Sequence, residues 1–291
     1  MIDHPRTADE AILRSIWKEV FNDTDEFVDS FFGRRYSADS TLVYRERGEI
    51  VSMIFFPRYN FKVNDARFGL GYICGAATLP GYRQKGLMGL LMEASLEAMR
   101  SRGDSFSSLI PASDPLYEYY SRFGFRDYFF RKRYSLTRES VNAGPVFSLQ
   151  PMSDFNTLYR LYLSGVNTLT AAVVHGYDSY SAVADEFTMT GGEILVSNDQ
   201  RLYCFVRVTG ETAFIRELFG ESVSSSSYTE MVAALMKYFP DIRNVHIECP
   251  SELGVPAAER FRTGMARGLS GDMELQLVHV TGAYMKFMLE D

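Results

Sequence analysis

The stretch Leu79-Pro80-Gly81-Tyr82-Arg83-Gln84-Lys85-Gly86-Leu87-Met88-Gly89 joins an uncharged apolar run, Phe68 to Thr78, to an apolar helical pattern through glycines and two cations. Such a junction suits phosphate. The first turn of a helix offers backbone N–H groups without intrahelical acceptors and the positive end of the helix dipole, so a pyrophosphate there is held by main chain. Glycine lets the ligand approach that main chain. Two common phosphate loops are excluded by spacing, since the segment contains neither G-x-x-x-x-G-K-S/T nor G-x-G-x-x-G. What it contains is R-x-x-G-x-x-G, set by Arg83, Gly86 and Gly89. Taken alone, the loop also reads as an ordinary strand-to-helix connection with two solvated cations.

A second constellation follows in Leu116-Tyr117-Glu118-Tyr119-Tyr120-Ser121-Arg122-Phe123-Gly124-Phe125, an aromatic helix stopped by a glycine. With the first loop, it resembles the GNAT superfamily of acyl-CoA-dependent N-acyltransferases. Arg83-x-x-Gly86 is similar to that superfamily's pyrophosphate motif, and Tyr120-x-x-x-Gly124-Phe125 to its Y-x-x-x-G-F segment. The superfamily usually has glycine or alanine where this chain has Met88. That departure, and the run from Tyr120 to Phe125, resemble the Eis-like branch of tandem-domain acetyltransferases.

The resemblance implies acetyl-CoA as co-substrate, bound along Ala76, Ala77, Thr78 and Leu79, along Arg83, Gln84, Lys85, Gly86, Leu87, Met88 and Gly89, and beside Tyr117. It also implies direct transfer, in which a neutral amine attacks the thioester within a ternary complex. A backbone N–H near Ala77 to Leu79 would stabilise the oxyanion. The match assigns Tyr120 to the leaving sulfur. Ordinary pKa values near 10 for a phenol and about 8.5 for a thiol make full proton transfer uphill by roughly 2 kcal/mol, so Tyr120 is expected mainly as a hydrogen-bond donor. On a helix Tyr117 shares a side with Tyr120 and Tyr119 does not. All three also read as packing aromatics.

Elements that would position these residues follow from periodicity. Two helices are expected at Asp9 to Asn22 and Asp25 to Tyr36, then a hairpin of Thr41 to Glu46 and Glu49 to Phe56 around Arg47-Gly48. A strand from Arg67 to Thr78, a helix from Leu87 to about Arg102, a strand at Ser105 to Ile110, the aromatic helix and a strand from Phe125 to Leu136 complete the first half. After a polar break at Arg138 to Gly144 the same order returns. Helices are expected at Asp154 to Ser164 and Ser179 to Phe187, and strands at Glu193 to Ser197, Arg201 to Val208 and Thr212 to Phe219. A helix at Tyr228 to Tyr238, a strand at Asn244 to Cys249, a helix at Ala257 to Gly268 and closing strands from Met273 to Leu289 finish the chain.

The fold class expected is α/β (α+β): tandem GNAT folds, each a mixed, mostly antiparallel sheet flanked by helices. Residues 1–140 form the catalytic domain and 145–291 a degenerate copy in this reading. Where the second phosphate loop should fall the chain reads Gly220-Glu221-Ser222-Val223 and four serines, with no cation and with Glu221 opposing phosphate. The serines read as a helix N-cap and loop. Eis-like proteins pair one active with one degenerate copy and use a terminal carboxylate; carrying that role to Asp291 has no support from the residues.

Composition narrows the remaining classes. Of 291 residues 46% are hydrophobic and 23% charged, and no run reaches the roughly 18 apolar residues needed to span a bilayer. The opening Met1 to Arg6 lacks a basic-then-apolar leader, so the expectation is a cytoplasmic, non-membrane protein. Cys74, Cys204 and Cys249 stand singly in apolar runs as thiols, and His4, His175, His246 and His279 show no ligand spacing, so no metal is expected. His246 alternates within a strand pattern. Residues 1–140 hold 20 basic and 19 acidic residues, a balance of +1; residues 141–291 hold 10 and 18, a balance of −8. An acidic chain does not attract nucleic acid, and Arg131-Lys132-Arg133 reads as a solvated strand end. The partner expected is a small amine acceptor, cationic in view of the acidic second half; a homo-oligomer stays open. Asp23, Asp25, Glu26 and Asp29 are acids near an acceptor pocket that also read as a helix face, so no base is named. Trp17, Phe21, Phe27, Phe31 and Phe32 read as core. The alternatives are a catalytically silent CoA-binding scaffold and a tandem aminoacyl or thiol-cofactor acyltransferase.

Overall fold

The computed structural model describes residues 1–141, 144, 147–255, 258–273 and 282–285. The chain divides into two compact units, one of Met1–Phe61, Asp65–Tyr128 and Gly264–Thr281, the other of Lys62–Asn64, Phe129–Thr263 and Gly282–Asp291.

The first unit runs β1 (Ile2–Asp3), α1 (Glu10–Phe21), α2 (Asp25–Arg34), β2 (Thr41–Glu46), β3 (Glu49–Phe55), β4 (Arg58–Val63), β5 (Ala66–Thr78), α3 (Leu87–Ser101), β6 (Phe106–Leu109), α4 (Asp114–Ser121) and the start of β7 (Arg126–Thr137). The second continues through β8 (Leu149–Pro151), α5 (Phe155–Val166), β9 (Ala171–Val174), α6 (Tyr177–Met189), β10 (Glu193–Ser197), β11 (Leu202–Thr209), β12 (Thr212–Gly220), α7 (Ser225–Tyr238), β13 (Asn244–Pro250) and β14 (Glu259–Gly268), whose last residues return to the first unit.

In the first unit the strand order is β1-β2-β3-β5-β6-β14, antiparallel except for β5 and β6. Period-two alternation sends neighbouring residues to opposite faces. Val43, Met53 and Phe55 pack under α1 and α2 with Leu13, Trp17, Val28 and Phe31. Leu42 and Ile54 pack on the other side with Leu91, Met92, Leu96 and Met99 of α3. Each such large apolar side chain contributes about 1.5–3 kcal/mol by leaving water. The aromatics Trp17, Phe31 and Phe32 surround Phe55, which makes them core.

The second unit has the order β7-β13-β12-β11-β10-β8, again with one parallel pair, β12 and β13. In each unit the parallel pair is bridged by one helix, α3 or α7. Ser224 caps α7 in a reciprocal box with Ser227, and Met231, Val232 and Leu235 cover one sheet face while α5 and α6 cover the other.

Strands β1, β4, β8 and β9 add to the elements expected, and one expected helix is a strand. Glu259–Gly268, expected within a helix, is a strand paired antiparallel with β6, Met265 opposite Leu109 and Arg267 opposite Ser107. Arginine, alanine and methionine are good helix formers, but β6 presents an edge whose N–H and C=O groups need partners, and that non-local demand overrides local propensity. Most of the expected closing strands, Met273 to Leu289, and Asp291 lie outside the described residues. No helix among the described residues is long and apolar enough to cross a membrane.

Candidate active site

The site begins where β5 outruns its parallel partner. Pairing with β6 covers Leu70–Ile73 and β6 ends at Leu109, whereas β5 continues to Thr78 along β3. A register shift between Met53 and Phe55 marks a bulge, and Gly75 in it has φ +54°. A Cβ there would lie 2.5 Å from the rings of Phe55 and Trp17, so glycine is required twice over. Ser52 Oγ fixes the strand end by donating to the Ala77 carbonyl at 2.8 Å and lies 2.7 Å from Thr78 Oγ1. The Leu79 N–H donates to Val51 O at 3.0 Å. Backbone groups alternate between the two edges of an antiparallel strand, so the Thr78 N–H and C=O point away from β3, and the Thr78 carbonyl accepts from Arg83 Nε at 3.0 Å.

After a turn at Pro80–Tyr82, Gln84 and Gly86 adopt left-handed conformations with φ +63° and +76°. The helix α3 then starts, its first intrahelical bond running from Leu90 N to Gly86 O at 3.2 Å. Leu87, Met88 and Gly89 therefore have no intrahelical acceptor for their N–H groups. A Cβ at Gly81 or Gly86 would meet nothing within 4 Å. Open space, unsatisfied donors and exposed Arg83 and Lys85 fit a pyrophosphate.

A groove of about 570 Å³ runs between this loop and α4, lined by Ala76, Thr78, Tyr82, Arg83, Gln84, Gly86, Leu87, Met88, Gly89, Leu116, Tyr119 and Tyr120. Ala77, Leu79, Lys85 and Tyr117 are outside this lining. Ala77 is buried and Leu79 partly buried against the α1–α2 core, Lys85 lies over the Tyr82 ring, and Tyr117 packs on the α3 core. Sequence reasoning passed over Leu116 and Tyr82, and it set Tyr117 rather than Tyr119 on the side of Tyr120, whereas Tyr119 lines the groove with Tyr120 and Tyr117 does not. The signal was present, because 116, 119 and 120 are spaced i, i+3, i+4 and share a helix face.

Tyr120 is half-buried, with its ring edge-on to Tyr119 at 5.2 Å. Burial, and next the neighbouring Tyr119, push its phenol up to about 12, so it is a protonated donor throughout the neutral range. Burial likewise pushes the Cys74 thiol up to about 12.

Several charges have structural partners. Asp23 accepts from Trp17 Nε1 at 2.7 Å, Asp25 pairs with Lys18 and Asp29 with Arg14, so these acids bind α1 to its surroundings. The solvated strand end expected at Arg131–Arg133 is instead mid-strand and paired: Arg131 meets Glu248, Lys132 Nζ donates to Leu253 O at 2.7 Å, and Arg133 meets Glu259. Glu221 is met by Arg160 at 2.8 Å and Arg201 at 3.6 Å, so the second crossover loop has cations nearby, supplied from outside the loop. His246 lies on β13, its Nδ1 2.6 Å from Ser135 Oγ and its ring stacked on Phe214. Among the described residues no group of three potential metal ligands occurs.

Residues 2–127 match the family of acetyltransferase (GNAT) domains. This part of the chain is a GNAT domain. Proteins of that family transfer acyl groups from acyl-CoA to amines. A probable N-acyltransferase of unknown function from Enterococcus faecalis superposes with a TM-score of 0.78 at 15% identity, over 95% of this chain and 73% of that one. A GCN5-related N-acetyltransferase from Anabaena variabilis gives 0.76 at 14% identity, over 93% and 73%. Eis1 from Mycobacterium abscessus gives 0.72 at 14% identity, over 92% and 74%. The likeness is one of fold, and it extends beyond the GNAT domain into the second unit. No curated protein matches the chain.

Proposed function

We propose that the protein transfers the acetyl group of acetyl-CoA to the primary amine of a small, cationic acceptor by direct attack in a ternary complex. The observation that carries this reading is the convergence, on one groove, of the end of β5 that outruns β6, the N-terminus of α3 and Tyr120. The thioester supplies an activated acyl group and a thiol as leaving group. The remaining tasks fall to this chain.

The N–H groups of Leu87, Met88 and Gly89, with Arg83 and Lys85, hold the pyrophosphate. The outward N–H of Thr78 is the donor for the developing oxyanion, because the Leu79 N–H is already committed to Val51. Tyr120 donates to the leaving sulfur. Its phenol at about 12 would lose roughly 5 kcal/mol in protonating a thiolate of ordinary pKa near 8.5. A thiol buried as Cys74 is, with its pKa pushed up to about 12, closes that gap. Tyr120 thus works as a hydrogen-bond donor in a wet groove and as an acid once water is excluded.

In this reading the copy expected at residues 1–140 is catalytic, and the one at 145–291 is a degenerate second domain that binds no acetyl-CoA, its loop offering Glu221 in place of Arg83 and Lys85. The acidic balance of residues 141–291, 10 basic against 18 acidic, enriches cationic amines around the protein. The test is thiol release from acetyl-CoA across a panel of neutral, anionic and cationic amines. Release with cationic amines, weakened by salt, supports the reading. Tight acetyl-CoA binding without release from any amine would make the protein a silent CoA-binding scaffold.

A further inference from the structure

We propose that Arg267 is a positioning residue for the groove, holding the helix that carries Tyr119 and Tyr120; the proposal rests on the acetyl-transfer reading. The problem it solves is the weakness of α4. A helix of two turns has no independent stability, its N-cap Ser113 makes no side-chain capping bond, and none of its residues is fully buried. Something else must fix the direction of the Tyr120 hydroxyl.

The C-terminal turn of α4 closes through Phe123 N to Tyr120 O at 3.0 Å and Gly124 N to Ser121 O at 2.9 Å, and Gly124 has φ +81°. Two residues on, the carbonyl of Phe123 accepts from Arg267 Nη1, a contact across 144 positions of sequence. The arginine stem crosses the bare face of Gly124, where a Cβ would lie 3.4 Å from Nε. A cation at this end also complements the helix dipole.

Arg267 is itself rigidly mounted. Its strand pairs with β6, Leu269 N donates to Ser105 O at 2.9 Å, and Met265 and Leu269 are buried in the α3 core. Arg100 of α3 donates through Nε to the Leu269 carbonyl at 3.0 Å. One short stretch, Arg267 to Leu269, therefore ties together the two helices that flank the groove. It lies outside residues 2–127, the span of the family match.

The experiment compares the full chain with Arg267→Met, Arg267→Lys, Tyr120→Phe and the Arg267→Met/Tyr120→Phe double variant. Thiol release uses acetyl-CoA with 1,3-diaminopropane as the cationic acceptor probe, and hydrogen exchange is followed in peptides covering α3 and α4. Arg267→Met is expected to lower kcat roughly 10-fold, as a misplaced donor does, with acetyl-CoA affinity changed less than about twofold. Arg267→Lys should recover part of the loss, since it keeps the charge and one donor. In the Tyr120→Phe background the same change should cost little, because the two act through one hydroxyl. Exchange should rise over residues 114–124 and stay constant over α3. Unchanged exchange in α4, or a rise across the whole unit, would overturn the proposal, as would full additivity with Tyr120→Phe. Should Tyr120→Phe leave the rate untouched, or no thiol be released at all, the catalytic reading fails and the exchange data alone decide the role of Arg267.

Discussion

Arg83 Nε donates a 3.0 Å hydrogen bond to the carbonyl oxygen of Thr78, five residues back along the chain, so the glycine loop is tied to the strand end that it follows. The proposed pyrophosphate and oxyanion donors therefore move together. Arg83→Met should weaken acetyl-CoA binding roughly 10-fold, about 1.4 kcal/mol, through loss of both the tether and the charge. Arg83→Lys should recover part of it, keeping charge without the Nε fork. Equal affinities for all three proteins in an equilibrium titration would contradict this role.

Tyr120→Phe should lower kcat by about 100-fold while leaving the acetyl-CoA dissociation constant nearly unchanged, because its hydroxyl matters as charge develops on sulfur. The decisive reading is the split between the two constants. A rate equal to that of the parent would remove Tyr120 from the mechanism.

With its pKa pushed up to about 12, Tyr120 should give no titrating limb in the rate profile below pH 10. A limb centred between pH 8 and 9.5 that vanishes in Tyr120→Phe would contradict the burial argument. Stability follows the same sign. Burial raises the phenols of Tyr72, Tyr120, Tyr180, Tyr203, Tyr228 and Tyr284, so the folded chain keeps protons that the unfolded chain loses near pH 10. Their contribution is full below pH 10 and falls as pH rises above it. Urea midpoints should be level from pH 8 to 9 and lower at pH 11.

Glu217 is buried, accepting from Tyr180 and Tyr203 at 2.5 and 2.8 Å on one oxygen and from Tyr284 at 3.0 Å on the other. Glu217→Ala would leave three phenols without their acceptor and should destabilise the fold by about 3 kcal/mol or more. Glu217→Gln, which keeps an acceptor, should cost less than half as much. Denaturant curves read by fluorescence distinguish the two.

The parts of this fold that were legible in sequence are those with local causes. The hairpin at Arg47-Gly48, the run into Thr78 and the helix from Leu87 carry their own periodicity and turn residues, and each is found within a residue or two. The strand Arg58–Val63 was legible and overlooked, since Tyr59, Phe61 and Val63 are buried in alternation with Arg58, Asn60 and Lys62. The strand at Glu259–Gly268 was not. Its backbone partners, Phe106 to Leu109, lie far away in sequence, and no local pattern announces an unfilled edge. The same limit governs Arg267, whose bond to Phe123 depends on that pairing. For the candidate site, the glycine loop and Tyr120 could be read directly, whereas Tyr119 and Leu116 required knowing which side of α4 faces the groove.

Calorimetric titration of acetyl-CoA tests the central claim, a single co-substrate site on the loop before α3, most directly. The account predicts one molecule bound per chain, lost in Gly86→Trp, which forces a bulky side chain onto a backbone at φ +76°, and kept in Glu221→Gln. A stoichiometry near two, or binding that survives both Gly86→Trp and Arg83→Glu, would show that the co-substrate lies elsewhere.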